Sequence, residues 1–406
     1  MTIETIETIE TTCCVVGGGP AGIVAGLLLA RQGVDVIVLE KHADFLRDFR
    51  GDTIHPSTLE LMHELGWLEE LLRLPHSKVT AITAEIGGAP ITFADFSRLT
   101  LRCPYVAFMP QWDFLNFMAE KARAYDGFRL RVRAEVTDMI LESGRVAGVR
   151  ARLDDDGALE VRARLVLGCD GRRSIFRRRA GLEVLSSAAP MDVLWFRLTR
   201  RPGETLPFFA PGRGRVLICI DRGAYWQIAY VIPRGELEAV KAAGIDALRN
   251  SVGALHPELA DRVHELRGWD DAPFLRVQVD RLRRWYREGL LCIGDAAHAM
   301  SPAGGVGINL AVQDAVAAAN MLGPTLRAGR TPSARELRRV QRRRELPARL
   351  IQAVQVRAAG GLYPRDLDDD PADHVPLSFQ LFQYIPALRH VAGRLIGVGV
   401  RPEHIR

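Results

Sequence analysis

The 406-residue chain has no apolar run near the roughly 20 residues that a membrane-spanning helix requires. We therefore expect no membrane span. Its six cysteines form no C-x-x-C pair, so neither a metal site nor a disulfide framework is predicted. The acidic N-terminus lacks the basic segment and apolar run of a signal peptide. We interpret residues 1–10 as a frayed lead-in to the first strand, and we expect a cytoplasmic protein.

Aromatic residues make up only 7% of the chain, and none interrupts the arginine-rich segment 338–345. Proteins that bind single-stranded nucleic acid need aromatic platforms for the bases. The apolar residues Leu337, Val340, Leu346 and Leu350 instead predict a helix with one solvated, basic face. No nucleic-acid partner is therefore expected. The formal net charge of +5 favours anionic cofactors such as dinucleotides.

Glycine is concentrated in two places, and the first lies near the N-terminus. Gly17, Gly19 and Gly22 have the G-x-G-x-x-G spacing, and they lie between an apolar run and a helix-forming segment. Such glycines allow a tight turn, close approach of a pyrophosphate to the backbone, and close packing of helix on strand. Glu40 ends the next predicted strand, 34–40, where a carboxylate can bind a ribose. This unit predicts FAD or NAD binding, since a free ribose suits Glu40 better than a 2′-phosphate does.

The second glycine-rich stretch, 290–310, favours FAD. A buried strand leads to Asp295 at its carboxyl end, where ligands of open α/β sheets bind. A carboxylate there can hold a polyol chain such as ribityl. Pro302 stiffens the following loop, and Gly304, Gly305 and Gly307 leave room for a flat ring. A helix predicted from about 307 to 322 points its N-terminus at that ring and stabilises negative charge on it.

Three motifs in this order resemble the single-component FAD-dependent aromatic hydroxylases, the class A flavoprotein monooxygenases typified by p-hydroxybenzoate hydroxylase. They are 17–22, the Asp-Gly segment 168–177, and Gly294-Asp295 with the glycine-rich run behind it. The resemblance covers nearly the whole chain, with Arg50 and Gln111 as further matches. Together with the residues above, it gives the following cofactor-binding set: Gly17, Gly19, Pro20, Ala21, Gly22, Glu40, Lys41, Arg50, Gln111, Asp170, Gly171, Arg177, Gly294, Asp295, Pro302, Gly305, Gly307, Ile308 and Asn309.

The resemblance also implies a reaction. NADPH or NADH approaches transiently near Asp170 and Arg177 and reduces a non-covalent FAD, and O2 then forms a flavin C4a-hydroperoxide that hydroxylates an electron-rich ring. Pro302, Gly304 and Gly305 would line the oxygen-reacting face, with no acid or base among them. The cofactor supplies this chemistry, while the protein holds FAD, aims the substrate and excludes water.

Several of these residues have simpler interpretations. Asp170 and Gly171 can form a plain turn, Arg50 a surface ion pair, and Gln111 the start of a helix. His298 lies near the proposed ring, but the resemblance gives it no role, and we interpret it as a loop residue. Arg197 and Arg215 are candidates for binding a substrate carboxylate.

The resemblance implies an α/β fold. We expect a Rossmann-like three-layer FAD-binding domain with an inserted, mostly antiparallel β-sheet lobe that binds substrate, and a C-terminal helical segment. Segments of alternating polar and apolar residues support the β-sheet lobe. The predicted boundaries are 1–79, 103–190 and 281–334 for the FAD-binding domain, 80–102 and 191–280 for the substrate lobe, and 335–406 for the helical segment.

Three other functions share these flavin motifs. A halogenase would need a W-x-W-x-I-P segment and a catalytic lysine, whereas residues 228–233 lack both tryptophans and Lys78 fits only with altered spacing. A reductase of the geranylgeranyl-reductase type would consume reduced flavin without using O2. A non-enzymatic flavin-binding protein is the third. The substrate, the choice of NADH or NADPH, and a monomer or homodimer stay open, as do epoxidation, Baeyer–Villiger insertion and N-oxidation.

Overall fold

The computed structural model describes residues 6–46, 52–86, 89–154, 157–187, 189, 191–206, 208–212, 214–362 and 377–406. The strands, in chain order, are β1 (Ile6–Val16), β2 (Val36–Leu39), β3 (Thr53–Ile54), β4 (Ser77–Val79), β5 (Ala81–Ile86), β6 (Ala89–Asp95), β7 (Val106–Phe108), β8 (Phe128–Arg131), β9 (Ala134–Glu142), β10 (Arg145–Leu153), β11 (Ala158–Gly168), β12 (Val184–Ser187), β13 (Met191–Thr199), β14 (Phe209–Gly212), β15 (Arg215–Asp221), β16 (Tyr225–Pro233), β17 (Phe274–Leu275), β18 (Val279–Leu282), β19 (Tyr286–Arg287), β20 (Leu290–Cys292) and β21 (His298–Ala299). The helices are α1 (Pro20–Arg31), α2 (Pro56–Glu64), α3 (Leu68–Leu71), α4 (Gln111–Ala122), α5 (Ile175–Arg179), α6 (Leu237–Ala242), α7 (Ile245–Leu255), α8 (Val306–Arg327), α9 (Ala334–Leu362), α10 (Leu377–Tyr384) and α11 (Pro386–Gly397).

A mostly parallel, eight-stranded sheet forms the centre of the molecule, with the main order β19-β20-β11-β1-β2-β8. Strand β19 is antiparallel to β20, and the antiparallel strands β10 and β9 extend the sheet from β11. Val16 at the end of β1 pairs with Gly168 of β11 and Leu39 of β2, and Gly168 pairs with Cys292 of β20. The carboxyl ends of these strands therefore meet at one edge of the sheet. The strands are continuous apolar runs because both faces of a parallel sheet are covered. Helices α1 and α8 pack together above this sheet.

Close packing of α1 on the sheet depends on glycine. A Cβ added at Gly22 would collide with the carbonyl oxygen of Gly17, and one at Gly26 would lie 2.7 Å from Cγ2 of Val38. The third glycine of the G-x-G-x-x-G spacing thus has the packing role predicted for it.

The first strand is longer than the sequence suggested. Residues from Ile6 onward pair with β11, beginning with Ile6 opposite Ala158. The prediction of a frayed lead-in was wrong for Ile6–Glu10, because the β-branched Ile and Thr residues of the Ile-Glu-Thr repeat suit an exposed extension of a long strand. Residues 1–5 lie outside the described part of the chain.

A second, seven-stranded sheet has the order β17-β13-β16-β15-β14-β5-β6. It contains strands from both segments that were expected to form the substrate lobe, and they meet where Phe209 pairs with Ala84. One face packs on α6 and α7, with Leu194, Phe196 and Ile228 in that core. The opposite face, with Val193, Trp195 and Ala229, packs toward the central sheet's domain. We call this opposite face the inner face.

The C-terminal part is helical as predicted, and the α/β class is confirmed. Helix α9 packs along α8, and α11 lies on β6 so closely that a Cβ at Gly393 would collide with the carbonyl oxygen of Asp95. Within the described ranges, no helix has the length and apolar character needed to cross a bilayer. All six cysteines are buried free thiols.

Candidate functional site

The three motifs converge at the carboxyl edge of the parallel sheet. A Cβ added at Gly17, whose φ is +104°, would collide with the carbonyl oxygen of Cys169, immediately before Asp170. A Cβ at Gly294 would lie 3.0 Å from Cβ of Ala21, in the first turn of α1. In contrast, a Cβ at Gly19 would meet no atom within 4 Å. The backbone at Gly19 is therefore open to a ligand at the N-terminus of α1.

That N-terminus is available to an anion. Helix α1 begins with Pro20, and no side chain caps it. The first N–H groups of a helix have no acceptor within the helix, and with the helix dipole they favour phosphate. Lys41 is exposed at the same edge, directly after Glu40.

Glu40 supports the glycine-rich turn directly. One carboxylate oxygen accepts a hydrogen bond from the Gly18 N–H at 2.8 Å, and the other accepts one from the His42 N–H at 3.0 Å. A carboxylate has about four lone-pair positions, so these two hydrogen bonds are compatible with a further contact to a ribose hydroxyl. The side chain is 8% exposed, which holds it in one place.

The Asp-Gly motif forms a turn against the first motif. The Asp170 carboxylate accepts a hydrogen bond from the Ile175 N–H at 2.8 Å and thereby caps α5. Burial raises the pKa of this carboxyl above its usual value. Gly171 has a φ of +79°, a backbone conformation that glycine adopts readily. The sequence allowed two roles for Asp170, forming a turn and contacting the cofactor. The structure shows the first of these roles.

Arg177 faces the protein interior. Its guanidinium forms a two-point ion pair with Asp280 at 2.8 and 3.0 Å, and it also donates to the carbonyl oxygens of Asp295 and Ala296. Each of its three nitrogens is therefore engaged, and the residue is 8% exposed. Arg177 thus holds the backbone of Asp295 in place, while its contact with a cofactor stays a prediction.

Asp295 itself reaches the cleft. Its side chain is 31% exposed and pairs with Arg172, with a distance of 3.1 Å between Nε and Oδ2. Arg172 was not singled out in the sequence, although it follows Gly171 directly. The pair places a carboxylate and a guanidinium together beside the G-x-G-x-x-G turn.

The loop before α8, residues 300–305, approaches β3 closely. Gly304 and Gly305 have φ values of +75° and +62°, and a Cβ at Gly305 would collide with Oγ1 of Thr53. The Gly305 carbonyl oxygen accepts a hydrogen bond from Thr53 Oγ1 at 2.8 Å and contacts Nε2 of His55 at 3.1 Å. Gly305 therefore lacks a side chain because Thr53 fills the space, a reason the sequence did not indicate.

Gly307 differs from its neighbours. A Cβ there would meet no atom within 4 Å, and no side chain caps α8. The first turn of α8 thus presents open space together with helix N–H groups. Pro302 leads into this turn, and Ile308 is 7% exposed on its inner side.

Asn309 has an internal role. Its Oδ1 accepts hydrogen bonds from Ser57 at 2.6 Å and Thr58 at 2.8 Å, both in α2. The side chain is 2% exposed, so it joins α8 to α2 rather than facing the cleft.

His55 is fully buried between the Gly305 and Ile396 carbonyl oxygens, with Nδ1 2.9 Å from the latter. Burial lowers the pKa of His55 to about 4, although both carbonyl contacts raise it. His55 is therefore neutral near pH 7 and donates from only one nitrogen. It connects α11 to the loop that precedes α8.

Gln111 opens α4, and its N–H donates to Asp52 Oδ1 at 3.1 Å. The same Asp52 carboxylate forms a buried ion pair with Arg222, which follows β15 of the seven-stranded sheet. Burial raises the pKa of Asp52 despite this partner, and burial lowers that of Arg222. This pair joins the seven-stranded sheet to the segment that leads into β3, which belongs to a separate three-stranded sheet, β3-β7-β4. Arg50 lies outside the described residues.

His298 is a buried structural residue in the short strand β21, not the loop residue that the sequence suggested. Its Nε2 lies 2.6 Å from Asp314 Oδ2, which also accepts the Gly294 N–H at 3.1 Å. Arg344 of α9 donates to the other oxygen of Asp314 at 3.0 Å. Burial raises the pKa of Asp314, but His298 and Arg344 together lower it further, so the net shift is downward.

The other candidate cations lie outside this cluster. The guanidinium of Arg197 lies 5.0 Å from the ring centre of Tyr225, and Arg215 pairs with Glu236 at 2.7 Å. Lys78 is exposed on β4, with its ammonium 4.9 Å from the ring centre of Tyr105.

Comparisons with known proteins agree with this geometry. A sequence model described as the FAD binding domain matches residues 10–354. The 6-methylpretetramide 4-monooxygenase of Streptomyces rimosus is 35% identical over 350 residues, which cover 86% of this chain and 80% of that protein. The digeranylgeranylglycerophospholipid reductase 1 of Methanopyrus kandleri is 29% identical over 75% of this chain and 78% of that protein.

A solved structure shows the same fold. The anhydrotetracycline hydroxylase OxyS from Streptomyces rimosus superposes with a TM-score of 0.74 at 22% identity, and the match covers 96% of this chain and 76% of that one. At this identity the likeness establishes the fold alone.

Proposed function

This chain belongs to the family of FAD-dependent aromatic hydroxylases and is an FAD-dependent monooxygenase, and we propose that its substrate is a fused-ring phenol of the aromatic polyketide type. The observation that carries the substrate class is its 35% identity to an enzyme that is named for a 4-monooxygenation of 6-methylpretetramide. The partly buried apolar residues Phe209, Ile218 and Ile220 on the inner face suit a flat ring system.

The residues fit FAD. The open backbone at Gly19 and the uncapped start of α1 suit a pyrophosphate, and the hydrogen bonds of Glu40 are compatible with a further contact to the ribose. Asp295 is exposed where a ribityl chain would follow. The open first turn of α8 at Gly307 suits the ring system. We assign these four contacts to bound FAD. When bound, FAD would accept electrons from NAD(P)H and activate O2.

The chain's own residues contribute position and electrostatics. The N–H groups at the start of α8 stabilise negative charge that develops beside them, because the helix dipole adds to their hydrogen bonds. Pro302 and Gly304 leave the approach to this turn free of reactive side chains. The apolar inner face excludes water from the reaction.

Three further assignments complete the proposal. The FAD-binding unit is built on the parallel sheet and the substrate lobe on the seven-stranded sheet, with the boundaries expected from the sequence. Arg172 is partly exposed and pairs with Asp295, so we assign it to the approach of the anionic NAD(P)H. The buried free thiols support a reducing, cytoplasmic location.

The test of the site is FAD affinity in Asp295→Ala. The loss of one or two charge-assisted hydrogen bonds, each worth roughly 1.5–3 kcal/mol, weakens binding by roughly ten- to several-hundredfold. Flavin fluorescence titration of the apoprotein measures it. Arg172→Ala is the matched control, because it breaks the same ion pair but keeps the carboxylate. Equal loss in both variants, or full flavin occupancy of Asp295→Ala after dialysis, would contradict the placement.

A further inference from the structure

Two glutamines of α9 hold the chain that leads into the loop before α8. Gln352 Nε2 donates to the carbonyl oxygens of Asp280 at 2.8 Å and Ala299 at 2.9 Å. One turn later, Gln355 Nε2 donates to those of Ser301 at 3.0 Å and Ala303 at 2.7 Å. Both side chains are buried.

The orientation of the Gln355 amide follows from its partners. Carbonyl oxygens only accept hydrogen bonds, so the NH2 group must face Ser301 and Ala303, and the amide oxygen must point elsewhere. Among the residues that the structure describes, Oε1 of Gln355 has no hydrogen-bond partner. Oε1 of Gln352, in contrast, has Arg281 at 3.4 Å. A buried acceptor without a donor is unfavourable, which points to a partner supplied by a ligand.

The residues next to Gln355 indicate that such a ligand would lie against the inner face of the seven-stranded sheet. Ala303, which Gln355 holds, and Val356, which follows it, both pack against this inner face. The residue thus lies where the loop, α9 and the proposed substrate lobe meet.

We propose that Gln355 is a specificity-determining residue whose amide nitrogen positions the Ser301–Ala303 backbone while its amide oxygen accepts a hydrogen bond from a phenolic hydroxyl of the substrate. This inference rests on the proposed function for the class of substrate. The contact would orient the fused ring relative to the loop. It would also favour hydroxylated rings over their methyl ethers, which have no hydrogen to donate.

The experiment compares 2-naphthol with 2-methoxynaphthalene as ligands of the FAD-loaded protein, using flavin absorbance difference spectra. The wild type binds the naphthol about five- to tenfold more tightly than the ether, as expected for one hydrogen bond. In Gln355→Leu the two affinities come within about twofold. Gln352→Leu is the matched control: it loses two similar hydrogen bonds to carbonyls one turn away but keeps the wild-type ratio.

Hydrogen–deuterium exchange of residues 299–305 tests the positioning role without any substrate. Gln355→Leu exchanges faster there than the wild type does. Unchanged discrimination between the two probes overturns the acceptor role, and unchanged exchange overturns the positioning role. If the wild type binds neither probe, the fused-ring class in the proposed function is wrong, while the exchange result still decides whether Gln355 positions the loop.

Discussion

Gly305 and Gly307 lie only two positions apart, but they have different functions: Gly305 ends the loop before α8, and Gly307 lies in the first turn of α8. Gly305 has a φ of +62° and no room for a Cβ beside Thr53, whereas Gly307 has room. The sequence could predict that the glycine-rich run 304–307 leaves room for a flat ligand. It could not predict that Gly305 is required for contact with β3, because Thr53 is 252 positions away in the chain.

Alanine substitution separates these two functions. Gly305→Ala strains the backbone and collides with Thr53, so we expect a loss of about 1–3 kcal/mol in the free energy of unfolding. Gly307→Ala lies in a helix, where alanine is favoured over glycine by up to about 1 kcal/mol, so the protein stays folded. Urea denaturation of both variants measures the difference. Equal stabilities would show that the collision at Gly305 is relieved without cost.

His55 makes stability depend on pH. The unfolded side chain takes up a proton near pH 6.5, but burial keeps the folded one neutral down to about pH 4. Between these values the unfolded state binds more protons, so stability falls as the pH falls. The contribution reaches about 3 kcal/mol at the lower limit.

His55→Gln provides the test, because glutamine does not titrate. The difference in unfolding free energy between wild type and variant should shrink steadily from pH 7 to pH 4. Parallel pH profiles would mean that His55 binds its proton at the same pH in the folded and the unfolded protein, so that burial does not lower its pKa.

At the scale of elements, α8, α9 and the C-terminal residues are joined by a buried ionic network. Arg344 is fully buried and contacts Asp314 on α8, the Arg401 carbonyl oxygen at 2.8 Å and Glu403 at 3.3 Å. Since Asp314 also accepts the Gly294 N–H, this network reaches the turn that carries Asp295. The C-terminal residues thus support the proposed cofactor site from behind.

Arg344→Leu should cost about 3–5 kcal/mol, because it leaves Asp314 and Glu403 buried without their common partner. Arg343→Leu is the matched control: Arg343 is 41% exposed and also pairs with Glu403, so its loss costs at most about 1 kcal/mol. Urea denaturation gives both values. Similar losses in the two variants would show that burial of Arg344 adds nothing.

The elements differ in how well the sequence predicted them. The parallel sheet and α1 follow from local patterns, because apolar runs, glycine spacing and Glu40 lie within about thirty residues. The roles of α9 were not predictable, because its partners are far away: Arg344 meets Asp314 across 30 positions, and Gln355 meets Ser301 across 54. In the sequence, Arg344 lies within the arginine-rich segment 338–345, which we interpreted as a solvated face, so its burial was not predicted.

At the scale of the whole molecule, the inner face of the seven-stranded sheet packs against Ala303 of the loop before α8 and Val356 of α9. The Asp52–Arg222 pair joins the same sheet to the segment that leads into β3, and Asp52 also accepts a hydrogen bond from the Gln111 N–H. The order of motifs along the chain correctly predicted an FAD-binding domain. The substrate-facing residues could not be predicted, because the inner face is assembled from strands that are over a hundred positions apart.

The central claim is that this chain inserts one oxygen atom from O2 into a fused-ring phenol, using FAD and NAD(P)H. The direct measurement supplies the FAD-loaded protein with NADH or NADPH, 2-naphthol and isotopically labelled O2, and follows product by mass spectrometry and NAD(P)H by absorbance. We predict accelerated NAD(P)H consumption on adding the naphthol and a hydroxylated product that carries one labelled oxygen. Naphthol-accelerated consumption that yields only hydrogen peroxide, or a reduced flavin that is stable in air and hydrogenates a carbon–carbon double bond, would contradict the account.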